Sequence, residues 1–270
     1  MINRLAVFVS LLLFSTCLSA DDWPAFGGPD RNQVSREKGF RSNWGDDEPV
    51  RLWALDVGLG YSGVVEVNGK AYTQGYSNGK NTLFCVAAES GKILWTHQYP
   101  CQKAPKYFQG GSRSTPAISD GILYLNSHQG DFYALDAENG KILWTKNLLK
   151  DFGGRRPDWG FSGSPLCMED KVIFETGSEN GSLVALDAKS GEPRWRAGSY
   201  EAAYSSPMMR TDGKGETFDR IMPLAILGTA PCFPAGDFVD GEGVGMPLSI
   251  GVDLEPLGLV RLPGTVFESH

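Results

Sequence analysis

The sequence predicts an all-β protein built from repeated four-stranded antiparallel units, and three observations support this prediction. A segment that ends in tryptophan occurs at residues 85–95, 134–144 and 185–195. A Ser/Thr-Pro landmark recurs with the same period. Short apolar runs alternate with Asp-Gly and Asn-Gly turns, which are strong hairpin signals because both turn residues tolerate positive φ. Four-stranded units that repeat at this length are typical of a β-propeller.

The two landmarks set the length of the repeated unit. Trp95, Trp144 and Trp195 lie 49 and 51 residues apart, and a weaker copy ends at Trp53, 42 residues before Trp95. The units start at residues 61–64, 113–116, 162–165 and 204–207, with spacings of 52, 49 and 42 residues. About four blades are therefore legible, and the propeller is predicted to be incomplete.

Within one unit the pattern predicts four strands joined as a meander. In residues 114–149 the apolar runs are 117–118, 122–125, 131–135 and 141–145, separated by turns at 120–121, 129–130 and 138–140. Gly and β-branched residues interrupt any 3.6-residue periodicity, which excludes helical repeats.

The repeated segment also predicts a structural motif. An Asp followed by Gly four residues later makes a turn in which the carboxylate caps backbone amides and Gly supplies positive φ. The Trp four residues further on covers the gap between blades with its large apolar area. Ala87 replaces this Asp in the first copy, so a weaker cap is expected there. The motif comprises Gly91, Trp95, Asp136, Gly140, Trp144, Asp187, Gly191 and Trp195.

The pattern Ala-x-Asp-x-x-x-Gly-x-x-x-Trp at 134–144 and 185–195 resembles the tryptophan-docking motif of pyrroloquinoline quinone (PQQ)-like β-propeller repeat proteins. Residues 22–32 are similar to the start of exported proteins that carry this repeat. The resemblance covers roughly residues 22–208 and implies a propeller of about eight blades. It is specific for the fold but not for the function, because the repeat serves quinoprotein dehydrogenases, outer-membrane assembly scaffolds and other exported proteins.

The chain is predicted to contain four segments. Residues 1–20 have the charged start, apolar core and small-residue end of a secretory signal peptide. Their apolar core spans only residues 5–14, whereas a transmembrane helix needs about twenty residues. We therefore expect an exported protein, in the periplasm or outside the cell, without a transmembrane segment after cleavage. An N-terminal extension at 21–50 then precedes the propeller repeats at 51–210.

The fourth segment, residues 211–270, is a divergent Gly/Pro-rich tail without Trp, Tyr or a docking motif. The favoured interpretation is a truncated or frameshifted C-terminus whose fold is not native. A divergent last blade and completion of the open edge by a partner are the alternatives.

Charge and cysteine usage exclude several kinds of site. The formal net charge of -7, without a basic run, argues against nucleic acid and an anionic membrane as partners. Cys85, Cys101, Cys167 and Cys232 show no C-x-x-C spacing, so no metal site is predicted. Isolated buried thiols are favoured, and a disulfide between Cys85 and Cys101 is the alternative.

Motifs for catalysis are weak. Residues 58–63 satisfy G-x-G-x-x-G, but a strand rather than a helix is predicted to follow, so these glycines fit a blade entrance better than a nucleotide site. Residues 212–216 lack the ligand spacing of a calcium loop. The resemblance implies a vicinal Cys-Cys pair, a Trp beneath the quinone, a calcium-binding carboxylate and a catalytic Asp in the dehydrogenases. The chain has no Cys-Cys pair, and Trp159 is predicted to lie in the core rather than to form a stacking surface.

The landmarks begin the strands that line the central channel of a propeller, so their residues are the candidates for ligand binding. Aromatic, hydroxyl and Arg side chains together suit small polar ligands or peptide segments. The candidates at the channel mouth are Tyr61, Ser62, Arg113, Ser114, Phe161, Ser162, Tyr204 and Ser205. We predict a binding or interaction module without a catalytic site or cofactor. The alternatives are a fragment of a PQQ-dependent alcohol or sugar dehydrogenase and an envelope assembly scaffold.

Overall fold

The computed structural model describes residues 21–39, 43, 49–103, 110–211, 217–218, 220–223, 238–239 and 245–246. The predicted signal peptide and the loop at 212–216 lie outside these residues. Every regular element in the described part is a strand. The strands are β1 Val65–Val67, β2 Lys70–Ser77, β3 Lys80–Ala87, β4 Ile93–Pro100, β5 Ala117–Ser119, β6 Ile122–Asn126, β7 Asp131–Asp136, β8 Ile142–Asn147, β9 Leu166–Met168, β10 Lys171–Ser178, β11 Gly181–Asp187, β12 Pro193–Ala197, β13 Pro207–Thr211, β14 Thr217–Phe218, β15 Arg220–Pro223, β16 Phe238–Val239 and β17 Gly245–Met246.

The strands form three four-stranded antiparallel sheets, each in the order of the chain. Blade A contains β1 to β4, blade B contains β5 to β8, and blade C contains β9 to β12. A further sheet follows with the order β14-β13-β15-β16-β17. The predicted all-β propeller of four-stranded antiparallel blades is thus confirmed.

The same local devices recur in each blade. The first hairpin turns at Asn68, Asp120 or Glu169, all with φ near +50°. The pairing between the third and fourth strands shifts by one residue at the same place in every blade, after Cys85, Ala134 and Ala185. Since a bulge bends and twists its strand, each outer strand departs from its sheet in the same way.

Asp136 shows how the docking turn is held. Its Oδ1 atom accepts hydrogen bonds from the backbone N–H groups of Glu138 at 2.8 Å and Asn139 at 3.2 Å. Asp187 makes the equivalent pair of contacts in blade C. Ala87 has no side chain that accepts such bonds, so blade A closes this turn with backbone contacts, including Gly91 N–H to the Ala87 carbonyl at 2.8 Å.

Two of the docking tryptophans, Trp95 and Trp144, join their own unit to the next blade. The indole Nε1 donates to a backbone carbonyl of the following blade, from Trp95 to Ala137 at 3.2 Å and from Trp144 to Ala188 at 3.1 Å. The ring lies directly against the glycine of that blade, because a Cβ atom at Gly140 would sit 2.6 Å from the Trp95 ring. Gly191 meets Trp144 in the same manner.

The core lies between neighbouring blades. Tyr72, Leu83 and Tyr99 of blade A pack with Leu123 and Leu135 of blade B. A second cluster, which includes Phe132, Phe161, Val172, Phe174 and Leu186, joins blades B and C. A third lies on the far side of blade C and contains Leu166, Ile173, Leu183 and Trp195. Each blade is therefore stabilised mainly by its neighbours, as in other repeat folds.

The landmark residues form a relay of hydrogen bonds between blades. The backbone N–H of Gly63 donates to Oγ1 of Thr115, the N–H of Thr115 donates to Oγ of Ser164, and the N–H of Ser164 donates to Oγ of Ser206, each at 2.9 Å. These four residues occupy equivalent positions. The hydroxyl of each landmark thus holds the entrance of its blade against the preceding one.

The N-terminal segment, residues 22–31, crosses the first strands of all three blades. Trp23 exchanges two backbone hydrogen bonds with Glu66 of β1, and the Pro24 carbonyl accepts the N–H of Ile118 in β5. Further along, Arg31 Nη1 donates to the Pro165 carbonyl, which immediately precedes β9, at 3.0 Å. The segment therefore contacts the three blades in the order of the chain.

Candidate functional site

The eight channel-mouth candidates divide between surface and interior. Tyr61 and Tyr204 have exposed side chains. Ser114 is buried and donates to Oδ1 of Asn126 at 2.8 Å, and Phe161 lies in the core between blades B and C. Neither of these two buried side chains offers a surface to a ligand. The other four, Ser62, Arg113, Ser162 and Ser205, are partly buried.

Trp159 and Tyr204 together form an exposed aromatic pair, which we call the aromatic platform. Their side chains are 42% and 44% exposed, and the ring centroids lie 4.9 Å apart with an interplanar angle of 34°. The prediction that Trp159 lies in the core is wrong, because the loop before β9 places its ring on the surface beside Tyr204. No pattern in the sequence signals this exposure, since it depends on how two loops from successive units meet.

The loop that carries Trp159 is anchored to blade B. Gly160 has φ +80° and lies so close to His128 that a Cβ atom there would be 2.6 Å from the His128 carbonyl oxygen. The N–H of Phe161 donates to this same carbonyl at 3.0 Å. The backbone N–H of Trp159 also donates to the Tyr204 hydroxyl at 3.3 Å. These contacts hold the backbone of the loop and the Tyr204 hydroxyl in place.

Polar residues lie close to the aromatic platform along the chain. The Ser162 hydroxyl donates to the Tyr204 carbonyl at 3.2 Å, and Arg156 is exposed three residues before Trp159. His128 beneath the loop is buried, and desolvation, assisted by the charges of Arg113 and Arg156, lowers its pKa to about 4. The imidazole is therefore neutral at physiological pH and contributes no positive charge.

A second set of polar side chains is buried where the blades meet. Gln74, Asn126 and Glu175 each lie eleven residues after the landmark of their unit and occupy equivalent positions in β2, β6 and β10. The Gln74 amide donates from Nε2 to the Ser114 carbonyl of the next blade at 2.8 Å and accepts at Oε1 from the Tyr99 hydroxyl at 2.8 Å. These three polar residues could have been recognised in the sequence, because each lies the same number of residues after the landmark of its unit.

Glu175 is the acidic member of this set. Its Oε2 atom accepts the N–H of Ala203 at 3.0 Å, while Oε1 is buried without a partner. Burial raises the pKa of this carboxyl to about 8, and the bond from Ala203 only partly opposes the shift. Glu175 is therefore mainly protonated at neutral pH, whereas Gln74 and Asn126 are neutral by nature.

Two clefts of about 380 and 370 Å³ lie at equivalent places between neighbouring blades. The larger is lined by Asp120, Glu169, Asp170, Lys171, Asp187 and Lys189 among others. Lys171 pairs with Glu169 and Asp170. The backbone N–H of Ser190, followed by the guanidinium of Arg194, lowers the pKa of the Asp187 carboxyl by hydrogen bonding to it. The charges in this cleft are thus largely compensated within the protein.

The three cysteines that the structure describes are free thiols. Cys85 pairs with Trp95 in the sheet, whereas Cys101 follows the end of β4, six residues further along. At about 3.3 Å per residue their Cα atoms lie far beyond the 7 Å limit for a disulfide. The alternative of a Cys85–Cys101 bridge is therefore wrong. Cys101 instead lies 3.7 Å from the His128 Nδ1 atom, in the interior.

In the dehydrogenases that the chain resembles, PQQ and its divalent cation need a stacking surface and oxygen ligands. Trp159 is exposed and has the shape of a stacking surface. The buried carboxyl of Glu175 holds a proton at neutral pH, which makes it a poor cation ligand. No group of three or more His, Cys, Asp or Glu side chains is arranged for a metal in the described ranges. Within the described part of the chain, the exposed ring of Trp159 is thus not accompanied by a grouped set of cation ligands.

In the same part of the chain, no helix has the length and apolar character needed to cross a membrane.

The repeats are similar in sequence to parts of known proteins. Two curated dehydrogenase subunits named "Alcohol dehydrogenase (quinone)" are similar to the chain. The one from Komagataeibacter europaeus is 28% identical over 165 residues, which cover 58% of this chain and 22% of the relative. The one from Gluconacetobacter polyoxogenes is 27% identical over 194 residues, covering 66% and 26%. The chain thus spans about a quarter of the length of these relatives.

Two solved structures are also similar to part of the chain. A quinohemoprotein alcohol dehydrogenase from Comamonas testosteroni matches with a TM-score of 0.49 and 24% identity, over 65% of this chain and 27% of that one. BamB from Moraxella catarrhalis matches with a TM-score of 0.38 and 17% identity, over 63% and 46%.

The repeats also match a family model, described as "Outer membrane protein assembly factor BamB", over residues 79–214. This range is half of the 270-residue chain and contains all of blades B and C together with the last two strands of blade A. The chain belongs to this PQQ-like repeat family.

Proposed function

We propose that this chain is an exported binding module that holds a small polar ligand against the aromatic platform of Trp159 and Tyr204. The observation that carries the proposal is the exposure of two large rings, 42% and 44%, on a surface where the fold holds them in place. A contiguous patch of exposed aromatic surface is a common mark of a contact site. A site with aromatic walls and a few placed polar groups is the usual form of a small-molecule site.

The chemistry of the platform indicates the class of ligand. The two rings offer flat apolar surface, and the Ser162 hydroxyl, which donates to the Tyr204 carbonyl, is a polar group beside it. A pyranose ring has one apolar C–H face and a rim of hydroxyl groups, which matches this division. We therefore assign a saccharide as the ligand class, bound through ring stacking with hydrogen bonds at its edge.

The landmark hydroxyls favour binding over catalysis. Thr115, Ser164 and Ser206 accept backbone N–H groups in the relay between blades, and Ser114 is bonded to Asn126. A serine nucleophile needs a base within hydrogen-bond reach, and these hydroxyls are engaged with structural partners instead. This arrangement supports a module that binds without transforming its ligand.

Titration with cellohexaose tests the proposal, with intrinsic tryptophan fluorescence and calorimetry as readouts. We expect saturable binding by the native chain and at least a tenfold weaker association for Trp159→Ala and for Tyr204→Ala. Phe26→Ala removes an equally exposed ring from the N-terminal segment and should leave the affinity unchanged. Absence of binding, or binding that Trp159→Ala leaves intact, would contradict the proposal.

Export is tested separately, through the mass of the protein recovered from cells. We expect a mature chain that begins at Asp21, because the predicted cleavage follows Ala20. Recovery of the full-length chain from the cytoplasm would contradict this part of the proposal.

A fragment of a quinone-dependent dehydrogenase is the second candidate, and the alignment with two curated alcohol dehydrogenases over 58% and 66% of the chain favours it. Titration with PQQ in the presence of Ca²⁺, followed by quinone absorbance, distinguishes the two. A stoichiometric complex with PQQ would support the hypothesis of a dehydrogenase fragment. Unchanged quinone spectra would instead favour the binding module.

A further inference from the structure

Cys101 and His128 form a buried pair where blades A and B meet. The Sγ atom of Cys101 lies 3.7 Å from Nδ1 and 4.0 Å from Nε2 of His128, and the two residues are 5% and 2% exposed. They are 27 residues apart in the sequence, so no metal-binding spacing marks them there. Thiolate and imidazole are the protein groups that bind soft and borderline metal ions most readily. The fold therefore brings two such groups together in the interior.

Backbone contacts position both residues. The N–H of Cys101, just after β4, donates to the Gly79 carbonyl at 3.0 Å, and His128 lies in the turn between β6 and β7. The His128 carbonyl accepts the N–H of Phe161 at 3.0 Å. Gly160 lies so close that a Cβ atom there would be 2.8 Å from the His128 Cβ atom. Blade A, blade B and the loop before blade C thus all hold the pair.

The fold does not require a thiol and an imidazole at this place. Leu148 occupies the position of Cys101 one unit later, since its N–H donates to the glycine carbonyl at the second hairpin turn of its own blade, as that of Cys101 does. Leu148 is 1% exposed and packs in the apolar cluster between blades B and C. The residue equivalent to His128 in that unit is the exposed Glu179. The polar pair is therefore particular to the contact between blades A and B.

The distance between sulfur and nitrogen suits one shared metal ion. Bonds of about 2.3 Å to sulfur and about 2.0 Å to nitrogen place the two donors about 3.5 Å apart at a tetrahedral angle and about 4.3 Å apart in a linear arrangement. The observed 3.7 and 4.0 Å lie between these limits. Rotation of the ring about χ2, which is a broad torsion in histidine, directs the lone pair of one nitrogen towards the ion.

Burial determines which charge the ion can carry. The His128 ring is neutral at physiological pH, and a thiolate without a compensating cation is costly in the interior. A monovalent ion that replaces the thiol proton leaves the pair without net charge. A divalent ion would add a positive charge, and the charges of Arg113 and Arg156 already act on His128. The site therefore favours a monovalent ion.

The number of ligands indicates the same ion. Asp131 is near enough to act on Cys101 electrostatically, but its carboxylate accepts hydrogen bonds from Asn147 Nδ2 at 2.9 Å and from the Ser127 hydroxyl at 3.2 Å. In the described part of the chain no third His, Cys, Asp or Glu side chain completes a metal-binding group. Structural zinc has four ligands, whereas Cu(I) is soft, prefers sulfur and accepts two.

A surface cleft gives an ion access to the sulfur. The cleft has a volume of about 580 Å³, and Cys101 forms part of its wall together with Gln102, Lys103 and Gln129. Gln102 and Lys103 are exposed, and the N–H of Gln102 donates to Oε1 of Gln129 at 2.9 Å. An ion from solvent can therefore reach the thiol along this wall while the imidazole stays in the interior.

We propose that Cys101 and His128 bind one Cu(I) ion, with the thiolate sulfur and one imidazole nitrogen as its two protein ligands. The ion takes the place of the thiol proton, so each ion that binds releases one proton to solvent. The copper keeps its oxidation state throughout. This site is separate from the aromatic platform, and saccharide binding does not depend on it.

Anaerobic titration of the full chain with Cu(I), in competition with the chelator bathocuproine disulfonate, measures the stoichiometry and the affinity. We expect one tightly bound ion per chain and at least tenfold weaker binding by Cys101→Leu and by His128→Gln. Cys101→Leu introduces the residue that the next unit has at this position, and the melting temperature of the metal-free variants checks their fold. Cys85→Ser alters another buried thiol of blade A and should leave the affinity unchanged.

X-ray absorption at the copper edge identifies the ligands directly. The native complex should show one sulfur and one nitrogen neighbour, and calorimetry in two buffers of different ionisation enthalpy should show release of one proton per ion. Absence of Cu(I) binding by the native chain would overturn the proposal. So would binding that Cys101→Leu leaves intact, an equal loss in Cys85→Ser, or a copper site without sulfur.

Discussion

Replacing Glu175 with glutamine is expected to stabilise the folded chain at neutral and alkaline pH. The carboxyl is buried in β10, and its Oε1 atom has no partner. A glutamine at this position resembles Gln74, whose amide donates to the Ser114 carbonyl of the next blade. The equivalent carbonyl for residue 175 belongs to Ser205. The substitution therefore removes an ionisable group and supplies a donor where the repeat provides an acceptor.

The size of the effect follows from the pKa of Glu175, which is about 8 in the folded chain against an ordinary 4.5. Each pH unit of difference is worth about 1.4 kcal/mol. Below pH 4.5 the carboxyl is protonated in both states and contributes no difference. As the pH rises towards 8 the unfolded chain releases the proton while the folded chain retains it, so stability falls. The penalty reaches about 3 kcal/mol at pH 7 and about 5 kcal/mol above pH 8.

Urea unfolding at pH 4, 7 and 9 measures this difference. Glu175→Gln should match the native chain at pH 4 to within about 1 kcal/mol and exceed it by about 3 kcal/mol at pH 7 and more at pH 9. Glu179→Gln alters an exposed carboxylate and is the control, with an expected change of about 0.5 kcal/mol or less at each pH. A gain that is the same at all three pH values, or a loss at pH 9, would refute the argument.

The remaining predictions concern the contacts between blades. Gly140→Ala should lower the free energy of unfolding, measured in urea, by about 2–4 kcal/mol. The reason is that φ at this position is +72° and the new Cβ would lie 2.6 Å from the Trp95 ring. Gly79→Ala is the control, because φ is +81° there but no atom lies within 4 Å of the new Cβ. It should lower the free energy of unfolding by only about 1 kcal/mol. Equal losses for the two variants would contradict the docking of the Trp95 ring on Gly140. Ser164→Ala should cost about 1–3 kcal/mol by leaving the buried Thr115 N–H without its acceptor; an unchanged unfolding midpoint would argue that water replaces the hydroxyl.

The fold could be predicted because its signals are local and repeated. The turn at Asp136, the glycine four residues later and the tryptophan after it lie within one short segment, and their contacts recur from blade to blade. The exposure of Trp159 could not be predicted, since it results from the meeting of two loops more than forty residues apart. The role of Glu175 was missed for a related reason. Its position is marked only by comparison with Gln74 and Asn126 in other units.

The path of the N-terminal segment affects how the blades unfold. In an array where each repeat contacts only its neighbours, the terminal units can open singly and stability is a sum of local terms. Here one continuous stretch binds β1 through Trp23, β5 through Pro24 and the start of β9 through Arg31, the last across 134 residues of sequence. Blade C cannot detach without pulling on a strap that also holds blade A. We therefore expect these contacts to couple the unfolding of blade C to that of blade A, and the bond from Arg31 to form only once the start of β9 is in place.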